Sequence, residues 1–231
     1  MSHAYYQFEA GRVSAIDGDC YEDFAFPPLK NALTEPNGLI AIGGDLSAAR
    51  LLSAYKQGIF PWYNTGDPIM WFSPNPRMVL YPSELKIANT LKKTINRNAF
   101  ETRINTSFAA VIAACSKVPR NNQHGTWITN EMIAAYCELH ALGYAICAES
   151  WQNGQLVGGC YGIKIGRMFY GESMFHTVTD ASKVAFVHLV NYLQNQQVGL
   201  IDCQMKTPLL ESFGGREIAR DAFTKQLKAL L

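Results

Sequence analysis

Three stretches decide the fold: Tyr144-Ala-Ile-Cys-Ala-Glu-Ser-Trp151, Gln155-Leu-Val-Gly-Gly-Cys-Tyr-Gly-Ile-Lys164 and Arg167-Met-Phe-Tyr-Gly-Glu-Ser-Met174. Each has the length and apolar content of a strand. Asn153-Gly154 joins the first two, and this pair is a strong hairpin signal because both turn positions need positive φ. Gly166 turns the chain into the third strand, so an antiparallel meander is expected. Downstream, Thr179 or Asp180 can cap a long buried helix reaching about Gln196. Gly199–Met205 then reads as a short apolar strand. Pro208–Phe213 reads as a short helix ended by Gly214-Gly215, and the tail from Glu217 is mixed.

Upstream, Thr129 can cap a helix ending at Gly143, with Met132, Tyr136, Leu139 and Leu142 at core spacing. Ser107–Lys117 is an alanine-rich apolar helix, and Leu85–Arg97 a helix carrying basic residues. Residues 60–84 read as loop, broken by Pro61, Pro68, Pro74, Pro76 and Pro82. Asp45 or Ser47 can cap a helix to Gln57 that Gly58 stops, and Leu39–Ile42 is a short strand among turns. Residues 1–25 are polar and irregular. The expectation is a mixed α+β chain with a boundary near residue 76, a small N-terminal domain (1–76) and a larger domain (77–231). Meander, buried helix and final strand follow the order of the N-acetyltransferase superfamily, a GNAT-like fold. That analogy assigns no function.

The chain has 231 residues, 48% of them hydrophobic, which is enough for a sizeable core. Only 17% are charged and the formal net charge is +1, so no global pull toward nucleic acid or membrane is expected. The charge is uneven, however. Residues 86–120 hold Lys86, Lys92, Lys93, Arg97, Arg103, Lys117 and Arg120 against Glu101. Such a segment is either a solvated helix face or a local anion-binding surface. The six cysteines show no C-x-x-C spacing, which fits free thiols in a reducing cytoplasm. No secretory leader is visible, and no apolar run has the length of a membrane span.

Two acids stand in apolar company. Asp202 lies inside Gly-Leu-Ile-Asp-Cys-Gln-Met, where burying an unpaired charge costs several kcal/mol (order of magnitude). Strand alternation puts Asp202 and Gln204 on one face and turns Cys203 toward the core. The alternative is an acid accepting backbone hydrogen bonds at a strand end. Glu172, among aromatics and methionines, needs a partner or a raised pKa unless it faces water from an edge strand. Gly171 beside it can mark a bulge. Trp62 and Trp127 lie in turn-like segments, where an indole can stack on a base or simply pack. The histidines (His3, His124, His140, His176, His188) form no H-E-x-x-H, and there is no P-loop and no G-x-G-x-x-G. Nothing local supports Cys203 with His176 or His188 as nucleophile and base. Chemistry without a metal or cofactor is the simplest reading.

Together these segments resemble the leucyl/phenylalanyl-tRNA–protein transferase family. The matching stretches are Glu35-Pro-Asn-Gly-Leu39, Gly43-Gly-Asp-Leu-Ser47, Gln57-Gly-Ile-Phe-Pro-Trp62, Trp71-Phe-Ser-Pro-Asn-Pro-Arg77 and Gly125-Thr-Trp-Ile-Thr129. They continue with Val157-Gly-Gly-Cys-Tyr-Gly162, Gly171-Glu-Ser-Met-Phe175, Ala181-Ser-Lys183 and Leu200-Ile-Asp-Cys-Gln204. Any one is weak, but in this order they are specific. The resemblance implies transfer of Leu or Phe, less readily Met, from aminoacyl-tRNA to proteins beginning with Arg or Lys. It implies N-end-rule degradation of those acceptors and a cytoplasmic monomer. It places the catalytic residues on Asp202, Gln204 and Glu172, and the tryptophans holding the tRNA's terminal adenosine on Trp62 and Trp127. The pocket for the transferred side chain falls on Cys160, Phe169 and Met174, and the tRNA-contacting helix on Lys92, Lys93 and Arg97. Some relatives carry Met where Cys160 stands here.

Two other readings compete. An acetyl-CoA-dependent N-acetyltransferase shares the element order, but Thr179-Asp-Ala-Ser-Lys183 lacks the glycine run that would cradle a pyrophosphate. A non-catalytic RNA-binding protein would use the basic helix and loop tryptophans, and leaves the Asp202–Gln204 pair unexplained.

Overall fold

A computed structural model of the chain describes residues 26–118 and 126–231, together with the backbone of three short strands before them. These are β1 (Gln7–Phe8), β2 (Gly11–Arg12) and β3 (Ser14–Ile16). The stretch expected to be irregular thus contributes a strand, since β3 runs parallel to β4 (Leu39–Gly43). Next comes α1 (Ala48–Lys56), whose Ser47 cap accepts from the Arg50 N–H. It is followed by β5 (Phe60–Pro61), β6 (Met70–Phe72) and β7 (Arg77–Leu80). Residues 60–84 are therefore not simply loop. The four residues of β7 show too little period to read, and β7 exists because β12 and β13 pair with it on its two edges.

The chain continues through α2 (Asn89–Asn96), β8 (Glu101–Ile104), α3 (Phe108–Ser116) and α4 (Asn130–Ala141). The helix expected from Leu85 starts later, because the Lys86 N–H bonds across to the Phe213 carbonyl at 2.9 Å. The meander is β9 (Ala145–Gln152), β10 (Gln155–Ile165) and β11 (Met168–His176), with Asn153 and Gly154 at φ 52° and 73° in the hairpin. Then follow α5 (Ala181–Asn195), β12 (Leu200–Gln204), α6 (Pro208–Ser212), β13 (Arg216–Ile218) and α7 (Arg220–Leu230). Asp180 sits before α5 in a left-handed conformation and makes no side-chain cap. Its carboxylate pairs with Lys183 at 2.8 Å instead.

Two larger sheets result, ordered β3-β4-β6-β5 and β13-β7-β12-β11-β10-β9-β8. In the seven-stranded sheet only the β11–β12 pair is parallel, and α5 is the crossover between them. One face of that sheet packs α5, with Cys160, Phe169, Val184 and Leu189 in a common core. The other face carries α3 and α4, and its core runs through Tyr161, Tyr170 and Tyr136 to Leu51 and Trp71 of the N-terminal segment. Gly158 lets the α5 start lie on β10, since a Cβ there would fall 2.6 Å from the Ala181 carbonyl carbon. Among the described residues no helix is long and apolar enough to cross a membrane.

Candidate active site

The crossover leaves a split in the sheet. β11 and β12 pair from Met168 opposite Leu200 to Tyr170 opposite Asp202. β11 then runs on to His176, while β12 ends at Gln204. A cleft of about 460 Å³ lies at this divergence, with Gly171–Met174 on one lip and Cys203 and Gln204 on the other. Its walls include Cys160, Phe169, Phe186 and Leu189 from the α5 core, and Trp62, Trp127 and Tyr161 from the opposite core or packed against it. Adjacent strand residues face opposite sides, so walls built from both Cys160 and Tyr161 mean that the cleft passes through the sheet.

Glu172 owes its aim to a bulge. Tyr161 pairs with Ser173 and Gly162 with Gly171, which leaves Glu172 as the extra residue on β11. Gly162 is required there, because a Cβ would collide with the Tyr170 carbonyl and the Phe169 ring. One Glu172 oxygen accepts from Tyr55 of α1 at 2.6 Å and faces the Gln204 amide nitrogen at 3.4 Å. The other accepts from Tyr136 of α4 at 3.3 Å, and the two tyrosine hydroxyls touch each other. Burial is the main cause that pushes the Glu172 carboxyl up to about 7, and the Asp202 charge adds to it. The tyrosine hydrogen bonds and the Arg77 charge pull the other way. Burial also lifts both tyrosine hydroxyls well above their usual range, with the Glu172 charge next in weight.

Asp202 has a different environment. It is fully buried, and Arg77 forks onto it, Nε to one oxygen at 2.8 Å and Nη2 to the other at 2.7 Å. The first oxygen also accepts the Gln204 N–H at 2.9 Å. The guanidinium lies between the rings of Phe60 and Phe223, at 4.9 and 4.7 Å. Gln204 takes φ 63°, and the β12–β7 register shifts between Asp202 and Gln204. That irregularity interrupts simple alternation, and only Gln204 of the two lines the cleft. Asp202 touches the cleft wall through its bond to the Gln204 N–H. Cys203 turns the other way, as expected: it packs, half-buried, against the α5 core and lines that side of the cleft. Burial pushes its thiol well above the usual range.

The structure brings most of the sequence candidates together. Trp62 is half-buried, edge-on to Phe72 at 5.5 Å, and Trp127 is buried, yet both line the cleft. Cys160, Phe169 and Met174 line it on the α5 side. Lys92, Lys93 and Arg97 stand apart, exposed on and just after α2, which packs against α5. Sequence reasoning missed Arg77, Tyr55 and Tyr136 as site residues. Tyr136 carries a core signature and Tyr55 no signal at all. Arg77 lies at the end of a proline-rich motif, and nothing local links it to Asp202, 125 residues away. Among the described residues no group of three or more His, Cys, Asp or Glu is placed to hold a metal ion.

The sequence comparisons point to one family. The family model described as leucyl/phenylalanyl-tRNA protein transferase matches residues 79–228, and the model of that family's N-terminal domain matches residues 44–75. A leucyl/phenylalanyl-tRNA–protein transferase of Nitrosomonas europaea is 57% identical over 210 residues, covering 91% of this chain and 89% of its own. The protein of that name from Chromobacterium violaceum is 56% identical over 203 residues, covering 88% and 87%. Among solved structures, L-PGS from Bacillus licheniformis aligns at a TM-score of 0.43 and 10% identity, over 82% of this chain and 71% of that one. A GCN5-related N-acetyltransferase-like protein from Streptococcus suis aligns at 0.37 and 12%, over 77% and 68%. Those two scores are too low to carry an argument, and the assignment rests on sequence. The chain belongs to the leucyl/phenylalanyl-tRNA–protein transferase family, and is an aminoacyltransferase acting between charged tRNA and a protein acceptor.

Proposed function

We propose that the protein transfers Leu or Phe, less readily Met, from aminoacyl-tRNA to acceptor proteins beginning with Arg or Lys. The new peptide bond would mark those acceptors for N-end-rule degradation, in the cytoplasm, by a monomeric enzyme. The observation that carries the reading is the cleft through the sheet. It has Trp62 and Trp127 on one side, an apolar chamber around Cys160, Phe169 and Met174 on the other, and the Glu172–Gln204 pair at the split.

In this reading the terminal adenosine stacks on the tryptophans, worth roughly 1–3 kcal/mol per base. The aminoacyl side chain enters the chamber, and the ester carbon lies at the split. Apolar burial selects Leu and Phe, but one methylene gives only about 1–3 kcal/mol, so some Met leaks through. The ester is already activated and aminolysis is downhill, so the protein supplies positioning and proton handling. The acceptor α-amine, with a pKa near 7.7–8, loses a proton as it attacks. Gln204 turns its amide nitrogen toward Glu172, which leaves its oxygen to accept a hydrogen bond from that amine. Glu172 attracts the cationic acceptor and, titrating near 7, can take the amine proton. The amine nitrogen bonds to the ester carbon, the ribose oxygen leaves, and the proton returns to it. Lys92, Lys93 and Arg97 hold tRNA phosphates without reading sequence.

The test offers the enzyme an acceptor peptide beginning with Arg, with Phe-charged tRNA or with acetyl-CoA. Mass spectrometry should find the peptide heavier by one Phe in the first case and unchanged in the second. Acetylation, or no product from charged tRNA, would reject the reading. Replacing Lys92 and Lys93 together should lower the salt slope of tRNA binding by about 2; an unchanged slope would move the RNA surface elsewhere.

A further inference from the structure

We propose that Arg77 is a positioning residue of the transfer reaction, fixing through Asp202 the backbone turn at Gln204 and so the place where the Gln204 amide meets Glu172 and the incoming amine. The inference rests on the aminoacyl-transfer reading of the cleft.

Several observations converge on it. Both Asp202 oxygens are taken by the Arg77 fork, and the carboxylate lies outside the cleft lining. What remains for Asp202 is its bond to the Gln204 N–H at 2.9 Å. Gln204 needs that bond because φ 63° is a region non-glycine residues seldom occupy unless their surroundings hold them there. Arg77 is held in turn by three parts of the chain. β7 carries it, Phe60 stacks on it from the segment that leads to Trp62, and Phe223 stacks on it from α7. A planar fork between two rings is a role Lys cannot fill. Its third nitrogen, Nη1, is buried without a hydrogen-bond partner. That donor is desolvated at a cost while the other two nitrogens serve Asp202. Arg77 touches no cleft volume itself, so its effect on turnover passes through the turn at Gln204.

The experiment is a double-mutant cycle on the full-length enzyme with Phe-charged tRNA and an Arg-initiated peptide. Arg77→Gln and Asp202→Asn each break the fork and should lower kcat about a hundredfold, as displacement of a catalytic group by an ångström does. KM for charged tRNA should stay within about threefold, since the tryptophans and basic helix are untouched. The double variant R77Q/D202N restores a neutral hydrogen-bonded pair and keeps an oxygen for the Gln204 N–H. It should regain at least about tenfold over the weaker single variant. A double variant that recovers the wild-type unfolding temperature but no turnover overturns the proposal, because the charge of Asp202 would then be needed in the chemistry. R77K keeps the charge without the fork, and guards against a double variant that fails to fold. Its kcat should fall about tenfold or more while the variant stays folded at the assay temperature, and an unchanged kcat overturns the proposal. Failure of the wild-type enzyme to use charged tRNA at all would strike the functional reading instead.

Discussion

Glu172 and Asp202 sit on neighbouring strands beside one split, and meet opposite surroundings. Asp202 is paired to a guanidinium through both oxygens and closed off from the cleft. Glu172 is paired to two hydroxyls and an amide, lies on the lip of the cleft, and titrates near neutrality. Depth alone does not separate them, since burial dominates the shift even at Glu172. The partner separates them. A guanidinium fork holds Asp202 inside the frame, whereas Glu172 meets only neutral donors on the lip of the cleft.

The largest effect should come from breaking the closed side. Asp202→Ala strands the buried Arg77 charge, a loss of the order of 3–5 kcal/mol in unfolding free energy by denaturant titration. Glu172→Gln keeps shape and leaves no buried charge behind, so its cost, read at or below pH 4.5 where the wild-type carboxyl is neutral in the fold, should stay near 1 kcal/mol (order of magnitude). Equal losses for the two variants would erase the distinction.

The second effect is a pH dependence confined to the open side. The folded state raises the Glu172 pKa from 4.5 to about 7, so it favours the neutral form. That contribution is full below pH 4.5 and is lost as pH rises through 7, a total change of about 3 kcal/mol across the interval. Between these limits stability of wild type relative to Glu172→Gln should fall as pH rises, read as the difference between their denaturation curves. Activity should move the other way, because the carboxylate form appears over the same interval. A kcat/KM for acceptor that rises through pH 7 in wild type and loses that limb in Glu172→Gln is the expected outcome. A limb that survives the substitution belongs to another group, such as the acceptor amine.

Much of this contrast could be read in the chain before the fold. Asn153-Gly154, the Ser47 and Thr129 caps and the apolar period of the long helix are local signals, and each falls where the local physics puts it. Asp202 and Glu172 stand out because an acid in an apolar run is costly without a partner. The identity of the partner is not local. Arg77 reaches Asp202 only after β7 pairs with β12, and β7 is four residues with no readable period. Tyr55 and Tyr136 come from α1 and α4, where one looks like any core tyrosine and the other like any helix residue. The bulge at Glu172 is likewise a property of the register between β10 and β11 rather than of Gly171 alone. Sequence therefore exposes the two acids, and only the packing shows which of them is fixed.

The smallest effect tests the hydroxyls that hold the open side. Tyr55 donates to Glu172 at 2.6 Å and its bond is the largest influence opposing burial. Tyr136 donates at 3.3 Å and weighs less. Removing either hydroxyl with Phe withdraws a donor to the charged form, so the Glu172 titration must move further up, never down. Tyr55→Phe should shift the acidic limb of kcat/KM upward by about one pH unit, and Tyr136→Phe by less. Both tyrosines also touch each other, so the double variant should fall short of the sum of the two shifts. A downward shift in either variant would mean that the hydroxyls stabilise the protonated acid. Glu172 would then be held neutral as a donor, and the proton acceptor of the reaction would have to be sought on the substrate.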